Sequence, residues 1–115
     1  MDYIEVGRLA DMLRETLEEE LKAGQQVVAA QDTADRMEAA ILHGATTDGR
    51  IDGKNEKARE LQRVTILNGT GEYKIQLSRI VNAKATVSMA TLDRKHAEAL
   101  IGLTKAWLNS QSGVR

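Results

Sequence analysis

The sequence contains no cysteine, no proline and no phenylalanine. Without cysteine there is no disulfide framework, no thiolate metal site and no cysteine nucleophile. Without proline nothing removes a backbone amide or clashes with the preceding turn, so helices can run long. Tyr3, Tyr73 and Trp107 are the only aromatics, too few to fill the faces of a β-sandwich or barrel. Neither sign of charge dominates: 16 Lys and Arg against 17 Asp and Glu leave a net of −1. That balance excludes a highly basic nucleic-acid coat and a strongly acidic tail. No apolar run approaches the ~20 residues of a membrane helix. The start, Met1-Asp2-Tyr3-Ile4-Glu5, is acidic where a signal or transit peptide is basic. A single all-α domain of 115 residues without membrane contact is expected, in the cytoplasm.

What is present has helical spacing. Val6, Leu9, Leu13, Leu17, Leu21, Val28, Ala34, Met37 and Ile41 recur mostly three or four apart, which predicts a long helix over about 3–43. Such a helix spans about 60 Å at ~1.5 Å per residue. Gly24, beside Gln25 and Gln26, marks a kink or a close helix crossing, and His43-Gly44 reads as the stop. Residues 44–55 carry two Asp-Gly turn signals and read as a loop. Asn55 is a natural N-cap for a short helix over about 56–67, with Glu56 in its first turn. Asn68-Gly69-Thr70-Gly71 then breaks the chain before a last long helix over about 72–109, followed by a frayed tail over 110–115. The last helix is rich in small residues (Ala83, Ala85, Ser88, Ala90, Ala97, Ala99 and Gly102), which favours close helix–helix approach.

Charge is uneven. Residues 1–43 carry a net of −6 and residues 44–115 a net of +5, as expected if the acidic first helix lies antiparallel against the later ones. Adjacent apolar pairs, Val27-Val28, Ile41-Leu42, Ile80-Val81 and Leu100-Ile101, point about 100° apart on a helix, so these helices are apolar over more than one narrow seam. A long hairpin of this kind has much surface and little interior, and a homo-oligomer built by helix packing is expected. A charge placed at Ile101 or Leu108 is expected to weaken that assembly.

Catalytic chemistry finds no footing. His43 and His96 are the only histidines and lie in no metal-ligand spacing, Glu18-Glu19-Glu20 reads as a solvated face, and no serine or threonine sits in a nucleophile elbow. No enzyme, metal or cofactor is expected. The distinctive segment is Gly53-Lys54-Asn55-Glu56-Lys57-Ala58-Arg59. It lacks the glycine spacing and leading strand of a Walker loop. Yet Lys54, Asn55, Lys57, Arg59 and Arg63 surround a helix N-terminus, where free amides and the helix dipole suit a phosphate. In the competing structural reading Asn55 is a cap and Arg59 a clamp onto Asp35 or Glu38 of the first helix.

Gly53, Lys54, Asn55 and Arg59, followed by Leu61, Tyr73, Leu77 and a close on Ala106-Trp107-Leu108, resemble a group of small phage and prophage helical hairpin proteins. That group shares a Gly-Lys-Asn-x-x-x-Arg signature and has no assigned function. The resemblance covers about the last two-thirds of the chain, though Asn68-Gly69-Thr70-Gly71 is richer in glycine than such hairpins. It implies a phage origin, the host cytoplasm and a small accessory role. Within that role the expectation is counter-defence: an oligomer sequestering a nucleotide immune signal at the anion site. The alternatives are a coiled-coil adaptor or inhibitor binding a host protein, and a DNA-recombination accessory protein. Specific nucleic-acid binding is not expected at near-zero net charge.

Overall fold

The computed structural model describes residues 3–113, with side chains from 5 to 111. Three helices follow one another: α1 (Tyr3–Thr47), α2 (Glu56–Asn68) and α3 (Gly71–Gly113). The described residues contain no strand. The topology is an all-α, antiparallel helical hairpin with a short helix between its long arms. Among the described residues no helix is long and apolar enough to cross a membrane.

Contacts gather in two compact units. One joins α1 up to Gln25 with α3 from Lys84 onward. The other, Gln26–Ala83, joins the rest of both helices to α2. In each, the residues turned inward recur at alternating spacings of three and four. In the first unit these are Leu9, Leu13, Thr16, Glu20 and Ala23 on α1, facing Val87, Ala90, Arg94, Ala97, Ile101 and Thr104 on α3. In the second they are Val27, Ala30, Ala34, Met37 and Ile41, facing Tyr73, Gln76, Ile80 and Ala83. A mean repeat of 3.5 residues is that of helices packed knobs-into-holes.

The core is made of small side chains: Ala23, Ala34, Ala45, Ala90 and Ala97 are buried, with Ile80 the one large residue among them. Alanine at a seam lets two helix backbones come close, so dispersion between many atoms replaces bulky side-chain burial. Polar groups set the pairing. Buried Gln76 donates its amide Nε2 to the Ala30 carbonyl at 2.9 Å. Tyr73 Oη donates to Glu38 Oε2 at 3.4 Å. In the first unit Arg94 donates to Glu20 across the helix pair and to Glu98 on its own helix. Arg94–Glu20 is an ion pair between α1 and α3, whereas the pairs made by Arg14, Arg36, Arg50, Arg59 and Arg63 are local.

Several boundaries differ from the sequence reading. α1 does not stop at His43-Gly44. Ala45 is fully buried, and Thr46 and Thr47 return their hydroxyls to Leu42 and His43 carbonyls, which carries the helix one turn further. The stop is Asp48-Gly49. Gly49 has φ +74°, its amide bonds Thr46 O, and Arg50 N bonds Ala45 O, the 5→2 and 6→1 pair of a Schellman closure. α3 continues through residues 110–113, expected to fray, because Ser110 and Gln111 do not end a helix; Val114 and Arg115 lie outside the described residues. α1 runs through Gly24 unbroken, and a Cβ built there meets nothing within 4 Å, so Gly24 is not a close crossing. Ile101 and Leu108, expected at an interface between chains, line a cleft within the first unit with Val6, Leu9, Ala10 and Leu13. Both therefore lie on the side of α3 that meets α1.

Candidate functional site

The distinctive segment forms a closed local network at the start of α2. Asn55, with φ −139° and ψ 171°, caps the helix by accepting the Ala58 amide at 2.8 Å. Gly53 lies flat against the first turn: a Cβ there would sit 2.8 Å from Ala58 Cβ and 2.9 Å from Arg59 N, so only glycine fits without movement. Arg59 reaches back and donates Nη1 to the Gly53 carbonyl at 3.1 Å. Gln62 closes the loop from the far side. Its Oε1 accepts the Asp52 and Gly53 amides at 3.1 and 2.9 Å, and its Nε2 donates to Asp52 Oδ1 at 2.8 Å.

Glu56 anchors the charges. One carboxylate oxygen accepts from Arg59 Nε and Nη2 at 3.3 and 3.2 Å. The other accepts from Arg63, which also grips Glu60. Arg63 first, then Arg59, holds the Glu56 carboxyl below its usual range by donating to the charged form. Arg59 therefore clamps the loop to α2 and does not reach Asp35 or Glu38 as expected. Asp35 accepts from Gln31 instead, and Glu38 from Tyr73. The physical reason is local: a guanidinium one turn inside a helix meets the carbonyls and carboxylates of its own N-terminus first.

Of the five residues read as an anion site, Asn55, Arg59 and Arg63 are engaged within α2 and its leading loop. Lys54 and Lys57 are exposed and take part in none of the described hydrogen bonds or ion pairs. Gln62 and Asp52 were missed, since a contact ten residues apart between a loop and a helix follows no spacing rule. Glu56 was read only as a complement to the dipole. Its spacing of three to Arg59 was the available signal for an ion pair.

Acid should loosen this network. With the folded Glu56 carboxyl lowered, its contribution is fully present above the ordinary Glu value of about 4.3. It is lost as pH falls below that value towards the lowered one. The protection of the amides at residues 56–60, relative to their intrinsic exchange, should therefore fall below pH ~4, and in Glu56→Gln that fall should be largely absent.

A second candidate is a surface. On α3 within the first unit, the face opposite the inner seam carries Ala85, Met89, Leu92, His96, Ala99, Leu103 and Ala106. Their spacings are again alternately four and three, and all seven are exposed. Met89, Leu92 and Leu103 are 62%, 60% and 69% exposed. The corresponding outer face of α1 is Arg8, Asp11, Glu15, Glu18 and Lys22, all exposed, an ordinary solvated face. α2 adds a smaller apolar shelf of Ala58, Leu61 and Val64 between Lys57 and Glu60. Both histidines are exposed, and no group of His, Asp or Glu among the described residues is placed to hold a metal. No family model, curated protein or solved structure matches the chain.

Proposed function

We propose that the chain is a non-enzymatic accessory binding protein, of the phage type that the signature resembles, acting through apolar helix surfaces on other polypeptide helices and assembling as a homo-oligomer. The observation that carries this reading is the outer face of α3, apolar from Ala85 to Ala106 save for His96 and open to water. A helix with two opposite apolar stripes has one for its own fold and one for a partner. An amphipathic groove or helix face is the usual means by which helical adaptors recognise their targets.

The nucleotide-sequestering reading draws on one observation, the exposed Lys54 and Lys57 beside the first amides of α2. Against it, a phosphate at Arg59 or Arg63 would have to displace Glu56 and Glu60 from charge-assisted hydrogen bonds.

A thermal-shift screen with linear and cyclic nucleotides separates the two, since a ligand at 100 times its Kd stabilises by about 2.7 kcal/mol. The helix-binding reading expects no shift, a silent Lys54→Ala, and an Arg59→Ala variant weakened by about 1 kcal/mol through loss of its bond to the Gly53 carbonyl. A nucleotide-induced rise that Lys54→Ala and Lys57→Ala abolish would establish the nucleotide reading in its place.

A further inference from the structure

We propose that the outer face of α3 is the docking surface for a second copy of this chain, packed antiparallel with a two-fold axis beside His96. This inference rests on the helix-binding reading above and names its partner.

The layout of the face argues for self-pairing. Turned end for end about His96, the seam superposes on itself: Ala85 meets Ala106 of the second copy, Met89 meets Leu103, and Leu92 meets Ala99. Leu92 then packs on the small Ala99 and the flexible Met89 takes up Leu103, while a small Ala85–Ala106 pair closes each end of the seam. A parallel pair would stack Ala99 on Ala99 and Leu103 on Leu103, leaving alternate layers empty and crowded. Antiparallel packing also sets the two helix dipoles head to tail.

Charge permits the contact. The seven positions include no carboxylate, lysine or arginine, so two copies meet without burying like charges. Asp93 and Lys95 stay at the margin, where water reaches them. On α1 the outer face would bury Asp11, Glu15 and Glu18, so it is unsuited to the same use.

The area suffices for a modest affinity. Seven exposed residues from each copy give on the order of 1,200 Å² in total, where specific interfaces begin. A micromolar, reversible dimer follows, in which His96 at the axis sets a polar layer that costs stability and marks the register.

Sedimentation equilibrium of the full chain, from low to high micromolar, tests this, with circular dichroism of each variant alongside. Wild type should pass from one to two chain masses. Leu92→Glu and Leu103→Glu should keep full helicity, because both side chains face water in the single chain, yet associate more than about tenfold more weakly. His96→Leu should associate more tightly. Emission of Trp107, the only tryptophan and one turn beyond Leu103, should shift with dilution in wild type and not in Leu103→Glu. A wild type that stays monomeric, or a dimer indifferent to both glutamates, overturns the second copy as partner. A monomeric wild type also removes the homo-oligomer from the proposed function, but neither result touches the binding of other polypeptide helices, which instead fails on a nucleotide-dependent shift.

Discussion

Ile80→Glu should unfold much of the protein, while Val81→Glu, the same change one residue on, should leave it folded. Ile80 is 6% exposed and is the only large apolar residue buried among the described residues, whereas Val81 is 66% exposed. Removing a buried isoleucine costs about 2–5 kcal/mol, and the carboxylate put in its place meets an inner seam whose residues in this unit include no Lys or Arg. A domain of this size has only about 5–15 kcal/mol in hand. At Val81 the charge enters water and the cost stays within about 0.5 kcal/mol. Urea titrations followed by circular dichroism check both. Equal losses would mean that the two faces of α3 have been assigned wrongly.

Gly53→Ala has the next largest expected effect. The new methyl would overlap Ala58 Cβ and approach Arg59 N and Ala58 C, at 2.8, 2.9 and 3.0 Å. Two of those neighbours are backbone, so the loop has to lift. Lifting it strains the Arg59 bond to the Gly53 carbonyl and both amide bonds to Gln62. Overpacking alone costs about 1–3 kcal/mol, and each strained bond adds part of its ~1 kcal/mol. A fall in melting temperature of roughly ten degrees follows, at 4–8 °C per kcal/mol for a small domain. Gly44→Ala supplies the contrast. Gly44 is helical and nothing lies within 4 Å of an added Cβ, so alanine there should stabilise by about 0.5–1 kcal/mol.

That pair of glycines shows what the sequence makes legible and what it does not. The count and order of helices, the Asn55 cap and the break at Asn68-Gly69 follow from spacing and local chemistry, which act within one turn. The end of α1 does not, because burial of Ala45 outweighs the preference of Gly44 for a stop. Arg59 was legible as a clamp but not as to its target. Long side chains choose among partners by proximity in space, and Glu56 was nearer than Asp35 or Glu38.

The two seams of α3 pose a subtler problem. Adjacent pairs such as Ile80-Val81 and Leu100-Ile101 announce more than one apolar face. Both faces repeat at three and four, however, offset by two residues: Ala97, Ile101 and Thr104 on one, Ala99, Leu103 and Ala106 on the other. Periodicity alone does not say which meets the tethered helix, and so does not separate Ile101 and Leu108 from the residues of the outer face. Position relative to α1 decides it, and that becomes visible only in three dimensions.

The most direct test of a second-copy interface on α3 uses the absence of native cysteine, which makes any single introduced thiol unambiguous. His96→Cys lies on the proposed axis and should oxidise rapidly to a covalent dimer, because disulfide formation needs Cα atoms within about 4.4–6.8 Å. Ala85→Cys and Ala106→Cys should each form no cross-link alone and cross-link when mixed. Slow oxidation of His96→Cys no faster than an exposed α1 control such as Glu18→Cys, or a fast homodimer from Ala99→Cys, would contradict the antiparallel second copy.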